Sequence, residues 1–131
     1  MVDEAKQRIE NLSVEQVREE MDSESAVIVD IRDIRELLQK GKIPGAVHAP
    51  RGMLEFWVDP ASEYYRDVFQ PEKRYILYCA GGGRSALAAT TMRDMGYSDV
   101  AHLEPGFDGW EKEGGEIEDV ASTSKWVMRG S

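Results

Sequence analysis

The chain has 131 residues, 41% of them apolar and 31% charged, with a formal net charge of −9. Such a length and apolar content suit one domain with a real core and exclude a disordered chain, while the acidic balance excludes a nucleic-acid surface or a basic patch for an anionic membrane. No apolar run is long enough for a bilayer, the start Met1-Val-Asp-Glu has neither part of a signal peptide, and one cysteine cannot form an internal disulfide, so a cytoplasmic protein is expected.

Ala5, Ile9 and Leu12 recur at helical spacing and predict a short amphipathic helix over 3–12, broken at Asn11-Leu-Ser13. Ser13 and Gln16 form a capping-box pattern that starts a second helix through about Met21. After the polar link Asp22-Ser-Glu-Ser25, the continuous β-branched run Ala26–Ile31 predicts the first strand. Asp33 is placed to cap a helix over Ile34–Gln39, which Gly41 ends. Pro44-Gly45 suits a type II turn before a short strand at Ala46–His48. Helices are predicted over Arg51–Trp57 and Ala61–Phe69, stopped by Pro60 and Pro71.

Tyr75–Tyr78 is a four-residue apolar and aromatic run without alternation, the pattern of a strand buried on both faces of a parallel sheet. The glycine-rich turn Cys79–Ser85 follows, then an Ala/Leu-rich helix to Met95 with Gly96 at its C-terminal end. Asp99–Leu103 is a last strand and Phe107–Glu113 a short helix. Strands alternating with helices predict an α/β fold with a mainly parallel sheet. Residues 116–131 carry scattered Ser, Thr and Gly and are expected to form a poorly ordered tail with Trp126 able to dock on the body.

The turn at Cys79 is where chemistry is expected. A strand that leads through glycines into a helix sets the turn at the carboxyl edge of the sheet, where open α/β sheets bind ligands. Successive glycines let backbone N–H groups point inward together as an anion-holding nest beside a helix N-terminus. Cys79 sits at the rim of that nest with Arg84 five residues on, and each of these features favours a thiolate over a buried structural thiol. The run is not a Walker A loop, since no lysine follows the glycines, and three glycines alone do not make a dinucleotide site. His48 and His102 show no metal-ligand spacing with one cysteine and read as local hydrogen-bonding or packing groups. Trp57 and Trp110 read as core or rim aromatics. Neither a metal nor any cofactor is expected.

Cys79-Ala-Gly-Gly-Gly-Arg-Ser85 resembles the active-site loop of the single-domain rhodanese sulfurtransferases. Asp30-Ile-Arg32 with Glu36, Gly41-Lys-Ile-Pro-Gly-Ala-Val-His48, and Leu103–Trp110 with Gly114-Gly115 resemble three further motifs of that family, in its order. The resemblance implies a rhodanese-like three-layer fold over residues 1–115, helices on both faces of the sheet. It further implies that Cys79 takes a sulfane sulfur from a donor, carries it as a persulfide and passes it to a thiol or cyanide acceptor. Ala80, Gly81, Gly82, Gly83, Arg84 and Ser85 would hold the persulfide charge through their backbone N–H groups.

Other roles stay open at this level. Arg84 is read as holding the loop and contributing positive field, Ser85 as a helix N-terminal residue, and Arg51 as a donor-binding candidate beside the end of the Ala46–His48 strand. Arg32 is expected to pair with Glu36, four residues on, with Asp30 supporting the same region. Thiosulfate, a mercaptopyruvate-like thiol, glutathione persulfide and a protein persulfide are all candidate donors, and the sequence sets no oligomeric state. Two competitors are a cysteine phosphatase or arsenate reductase and a rhodanese-like binding module. The family associates the four-residue Cys79-to-Arg84 loop with sulfur substrates, whereas phosphatases use five intervening residues. Binding modules often lack the cysteine that this chain keeps.

Overall fold

Strand β4 (Arg74–Tyr78) runs through the middle of a five-stranded sheet, and its residues Tyr75 to Tyr78 are wholly buried. Its uninterrupted apolar run fits that place, since neither face meets water. The computed structural model describes residues 1–123. Within them β1 (Glu10–Leu12), β2 (Val27–Asp30), β3 (Val47–His48) and β5 (Asp99–Leu103) join β4 in the order β1-β5-β4-β2-β3, every pairing parallel.

Helices cover both faces, so the three-layer α/β expectation is met. On one side, Val29, Tyr75, Leu77, Cys79 and Val100 pack with Ala5 and Ile9 from the N-terminal segment, Leu54 and Val58 of α4 (Leu54–Val58), and Ala86, Ala88, Ala89 and Met92 of α5 (Gly83–Asp94). The opposite side joins Ile28, Ile76, Tyr78, Ala101 and Leu103 to Val14 and Val17 of α2 (Val14–Asp22) and to Phe107 and Trp110 of α6 (Gly106–Lys112). Alternation along β4 thus puts Cys79 on the face covered by α5. Trp110 is core, and Trp57 lies at the rim with the Arg66 guanidinium 3.9 Å from its ring centre.

Local signals account for most element ends. Ser13 and Gln16 make the reciprocal capping box at α2, and Asp33 and Glu36 make a second at α3 (Ile34–Lys40). Gly45 at φ +80° and the Ala46 N–H bond to the Ile43 carbonyl at 3.1 Å form the expected turn at Pro44-Gly45. Arg51–Met53 is a 3₁₀ turn leading into α4.

Two predicted helices differ. Helix α1 stops at Arg8 (Val2–Arg8) because Ile9 is extended and Glu10–Leu12 become the edge strand β1, paired to β5. That pairing joins residues some ninety positions apart, which helical spacing cannot register. No helix forms at Ala61–Phe69. The Asp59 carboxylate accepts from the Ala61 N–H and the Ser62 hydroxyl from the Tyr64 N–H, and such local bonds offer the backbone turns instead.

The chain continues in order past the boundary expected at 115. Lys42 and Glu118 exchange backbone bonds at 3.0 and 2.9 Å, Trp110 Nε1 donates to the Glu116 carbonyl at 2.8 Å, and a short helix α7 (Val120–Thr123) packs against α3. Gly41 permits this approach: a Cβ there would lie 2.6 Å from the Glu118 carbonyl oxygen. The rest of the expected tail, Trp126 included, lies outside the described residues.

Candidate active site

Cys79 follows the last residue of β4, with its sulfur under the start of α5 and only 1% of the residue exposed. The Gly82 N–H donates to Sγ at 3.1 Å and the Ser85 N–H at 3.4 Å. The chain can curl this tightly because Gly82, the N-cap of α5, takes φ +98°, and a Cβ on it would lie 2.1 Å from the Glu104 carbonyl oxygen. The loop is fixed from behind by α6. Phe107 and Asp108 donate their N–H groups to the Cys79 and Ala80 carbonyls at 2.8 and 3.0 Å. Gly106 passes so close that a Cβ there would sit 2.2 Å from the Ala80 carbonyl oxygen.

The six loop residues are therefore unequal. Gly82 and Ser85 aim their amides at the sulfur, whereas Ala80 contributes its carbonyl to α6. A Cβ on Gly81 would meet open space, and one on Gly83 only Val2 at 3.9 Å. Arg84 spans to α3, Nη1 to Glu36 Oε1 at 2.8 Å and Nη2 to Oε2 at 2.9 Å. Hydrogen bonds from Arg84 hold the Glu36 carboxyl below its ordinary range, and the same pair raises the guanidinium.

Contrary to the expectation from spacing, Arg32 does not pair with Glu36, which is held by Arg84. Arg32 precedes the cap of α3 rather than lying on that helix, so helical spacing does not apply to it. Its side chain turns inward to Asp30, with Nη2 to Oδ2 at 2.7 Å, both residues buried. The guanidinium lies 4.3 Å from the Phe107 ring centre and donates to the Gly41 carbonyl, while the Tyr78 hydroxyl donates to Asp30 Oδ2 at 2.6 Å. This buried cluster braces the carboxyl edge. Arg51 lies at that edge, its N–H bonded to the Ile31 carbonyl, with its charge on Glu55 at 2.6 Å.

Two contributions were not legible. Ser85 is more than a helix-start residue: its Oγ accepts from the Cys79 thiol at 3.6 Å and meets His102 Nδ1 at 2.8 Å. Asn11, expected at the break of a helix, stands on β1 opposite His102, its Oδ1 2.7 Å from Nε2. A polar residue before buried Leu12 was the one available signal. His48 hydrogen-bonds the Arg32 carbonyl at 2.7 Å, the local role expected of it.

Chemically, the arrangement presents a single sulfur atom to two backbone N–H donors at the N-terminus of a twelve-residue helix. That setting favours negative charge on sulfur or on a sulfur attached to it. Among the described residues no group of three or more His, Cys, Asp or Glu side chains could hold a metal ion, and no helix is long and apolar enough to cross a membrane.

A family model described as "Rhodanese-like domain" matches residues 13–113. The thiosulfate sulfurtransferase GlpE of Pseudoalteromonas translucida is 31% identical over 101 residues, which make up 77% of this chain and 88% of that protein. YrkF of Bacillus subtilis, provisionally named a sulfur carrier protein, is 35% identical over 103 residues; these are 78% of this chain but only 51% of YrkF, so the chain spans about half its length. Among solved structures, a Rhodopseudomonas palustris protein of unknown function, described as a possible tyrosine phosphatase, is 51% identical with a TM-score of 0.86, covering 89% of this chain and 90% of that one.

Proposed function

The chain belongs to the rhodanese-like family, and from that premise we propose that it is a sulfurtransferase using Cys79 as its nucleophile. The Cys79 thiolate attacks the outer sulfur of a donor such as thiosulfate; a bond forms between the two sulfurs, the donor's own S–S bond breaks, and sulfite leaves with the electron pair. The persulfide then gives its outer sulfur to cyanide or a thiol, and Cys79 is released as thiolate. These two half-reactions predict ping-pong kinetics. The observation that carries this reading is the pair of amides, Gly82 and Ser85, converging on Cys79 Sγ. They stand ready to stabilise the sulfur anion of each half-reaction.

A phosphatase reading is carried by the description of the Rhodopseudomonas palustris protein. Against it, four residues separate Cys79 from Arg84, and both terminal nitrogens of Arg84 are engaged by Glu36 rather than turned to a tetrahedral oxyanion. A binding module is disfavoured because Cys79 and its amide donors are all retained. The deciding experiment is intact mass after thiosulfate and again after cyanide, beside an aryl phosphate assay. Gain and then loss of one sulfur supports sulfur transfer. Absence of that gain together with rapid phosphate release replaces the reading with the phosphatase, and absence of both favours the module.

A further inference from the structure

Behind the reacting sulfur lies a line of polar groups, buried at Ser85 and His102 and ending at exposed Asn11, that sulfur transfer by the loop amides does not use. Ser85 and His102 are both 0% exposed. The Cys79 thiol donates to Ser85 Oγ at 3.6 Å, Ser85 Oγ lies 2.8 Å from His102 Nδ1, and His102 Nε2 lies 2.7 Å from Asn11 Oδ1. The line joins the loop after β4, helix α5 and the strands β5 and β1.

Its proton positions follow from the outer end. Asn11 Nδ2 donates to the Lys6 and Ile9 carbonyls at 2.8 and 3.1 Å, so its Oδ1 must face the imidazole. An amide oxygen accepts only, hence Nε2 carries the proton and Nδ1 presents a lone pair. The Ser85 hydroxyl then donates mainly to Nδ1, the nearer acceptor, sharing its hydrogen with the Gly82 carbonyl at 3.2 Å, and turns a lone pair toward the thiol.

We propose that Ser85 and His102 form a buried proton relay for Cys79, with Asn11 fixing the imidazole. The proposal rests on the reading of Cys79 as the nucleophile. To give the attacking thiolate, the Cys79 S–H bond breaks and its proton moves to Ser85 Oγ, while the Ser85 proton moves to His102 Nδ1. Sulfite leaves with the electrons of the broken S–S bond. When the acceptor removes the outer sulfur, the electron pair of the persulfide bond returns to Cys79 and the two protons move back. Both end states keep the line joined: thiol, hydroxyl and neutral imidazole in one, sulfur anion, hydroxyl and imidazolium in the other, the Gly82 carbonyl giving up its share of the Ser85 hydroxyl in the second. His102 is a positioning residue acting through Ser85, and Ser85 touches the reacting sulfur.

The charged and titratable groups facing His102 are Lys6 from α1 and, through Ser85, Cys79 from the loop after β4, which itself faces the Arg84 guanidinium of α5; Asn11 of β1 and Ser85 of α5 are neutral. Burial, then the Lys6 charge, push the imidazole down to about 4. It therefore rests neutral; the depression opposes proton uptake, so the imidazolium of the relay depends on the negative charge gained by the sulfur to offset it.

The test begins with the unmutated protein, which has one cysteine and two histidines. Nitrogen NMR of the His102 ring, with His48 as internal control, is followed beside the ultraviolet absorbance of the thiolate. A relay requires the Nε2–H tautomer at neutral pH and ring-nitrogen shifts that move with the thiolate signal; Cys79→Ala should abolish that movement. Ser85→Ala and His102→Gln should move the thiolate signal to higher pH and slow sulfur uptake at neutral pH by roughly tenfold, the equivalent of one unit. Ring nitrogens that stay still while the thiolate appears overturn the relay, as do folded variants with unchanged thiolate signals. If the coupling is present but thiosulfate never loads sulfur, the relay stands and the sulfurtransferase reading falls. If sulfur loads without coupling, the reverse holds.

Discussion

Arg84 and Glu36 join α5 to α3 through two parallel bonds, guanidinium to carboxylate, at 2.8 and 2.9 Å. A fork so engaged anchors the loop through geometry, and its charge is largely met by its partner. Arg84→Lys should therefore slow sulfur uptake nearly as much as Arg84→Ala, because an ammonium cannot make both bonds. Loss of stability should stay within ~1 kcal/mol in either variant, as the pair is substantially exposed. Kinetics with thiosulfate and melting temperatures check this; a Lys variant near wild-type rate would return the field to first place. Since Glu36 is held below its ordinary range in the fold, the pair's contribution is present above the unfolded carboxylate value near ~4.3. It is lost as pH falls through the lower folded value.

Much of the frame was legible because its signals are local. The buried run Tyr75–Tyr78, the caps at Ser13 and Asp33, and the turn at Pro44-Gly45 depend on neighbours in sequence. Cys79, the glycines and Arg84 likewise stand in one segment. What stayed hidden depends on pairing across the fold. Glu36 meets Arg84 forty-eight residues away, and Asn11 meets His102 ninety-one away. Arg32 misled for a related reason: spacing to Glu36 counted as helical although Arg32 lies before the helix.

Two of the loop glycines, Gly82 and Gly81, should differ sharply on substitution. Gly82 combines φ +98° with a Cβ position 2.1 Å from the Glu104 carbonyl oxygen, so Gly82→Ala should cost more than ~2 kcal/mol and displace its amide from Sγ. Gly81 has open space and no positive φ, so Gly81→Ala should fold within ~0.5 kcal/mol of wild type. Denaturant unfolding of both variants measures the contrast. Equal losses would mean that the glycines act through the unfolded chain.

Asp30 and Arg32 carry opposite charges out of water together. Asp30→Asn keeps the shape but leaves a buried guanidinium without its counter-charge, and also weakens the acceptor of the Tyr78 hydroxyl. Breaking such a pair costs about 3–5 kcal/mol. Chemical denaturation should show a loss of that size with a retained cooperative transition. A loss under ~1 kcal/mol would show water reaching the pair.

His102 should make the fold acid-sensitive. Its imidazole protonates near 6.5 when unfolded and near 4 when folded, so the unfolded chain binds the extra proton first. The stability it confers is complete above about 6.5 and declines toward about 4, by up to roughly 1.4 kcal/mol per pH unit. Unfolding free energies of the wild type should fall across that interval, and those of a folded His102→Gln variant should fall less. Parallel curves would place the acid sensitivity in the carboxylates instead.

The cysteine count sets the fate of the loaded protein. A persulfide on Cys79 is discharged by attack from another nucleophile, and many redox proteins supply one as a resolving cysteine that ends in a disulfide. These 131 residues hold no second cysteine. The Gly82 and Ser85 amides shelter the sulfur, and Cys79 itself is 1% exposed. Once excess thiosulfate is removed, the protein should keep one added sulfur until a thiol or cyanide arrives. Discharge should then accelerate with acceptor concentration, and Cys79→Ser should never load while still unfolding cooperatively. Following intact mass over time, with and without added thiol, measures each step. Spontaneous loss of the sulfur without acceptor would show that the loop does not shelter the persulfide. Loading of the serine variant would remove Cys79 from the chemistry.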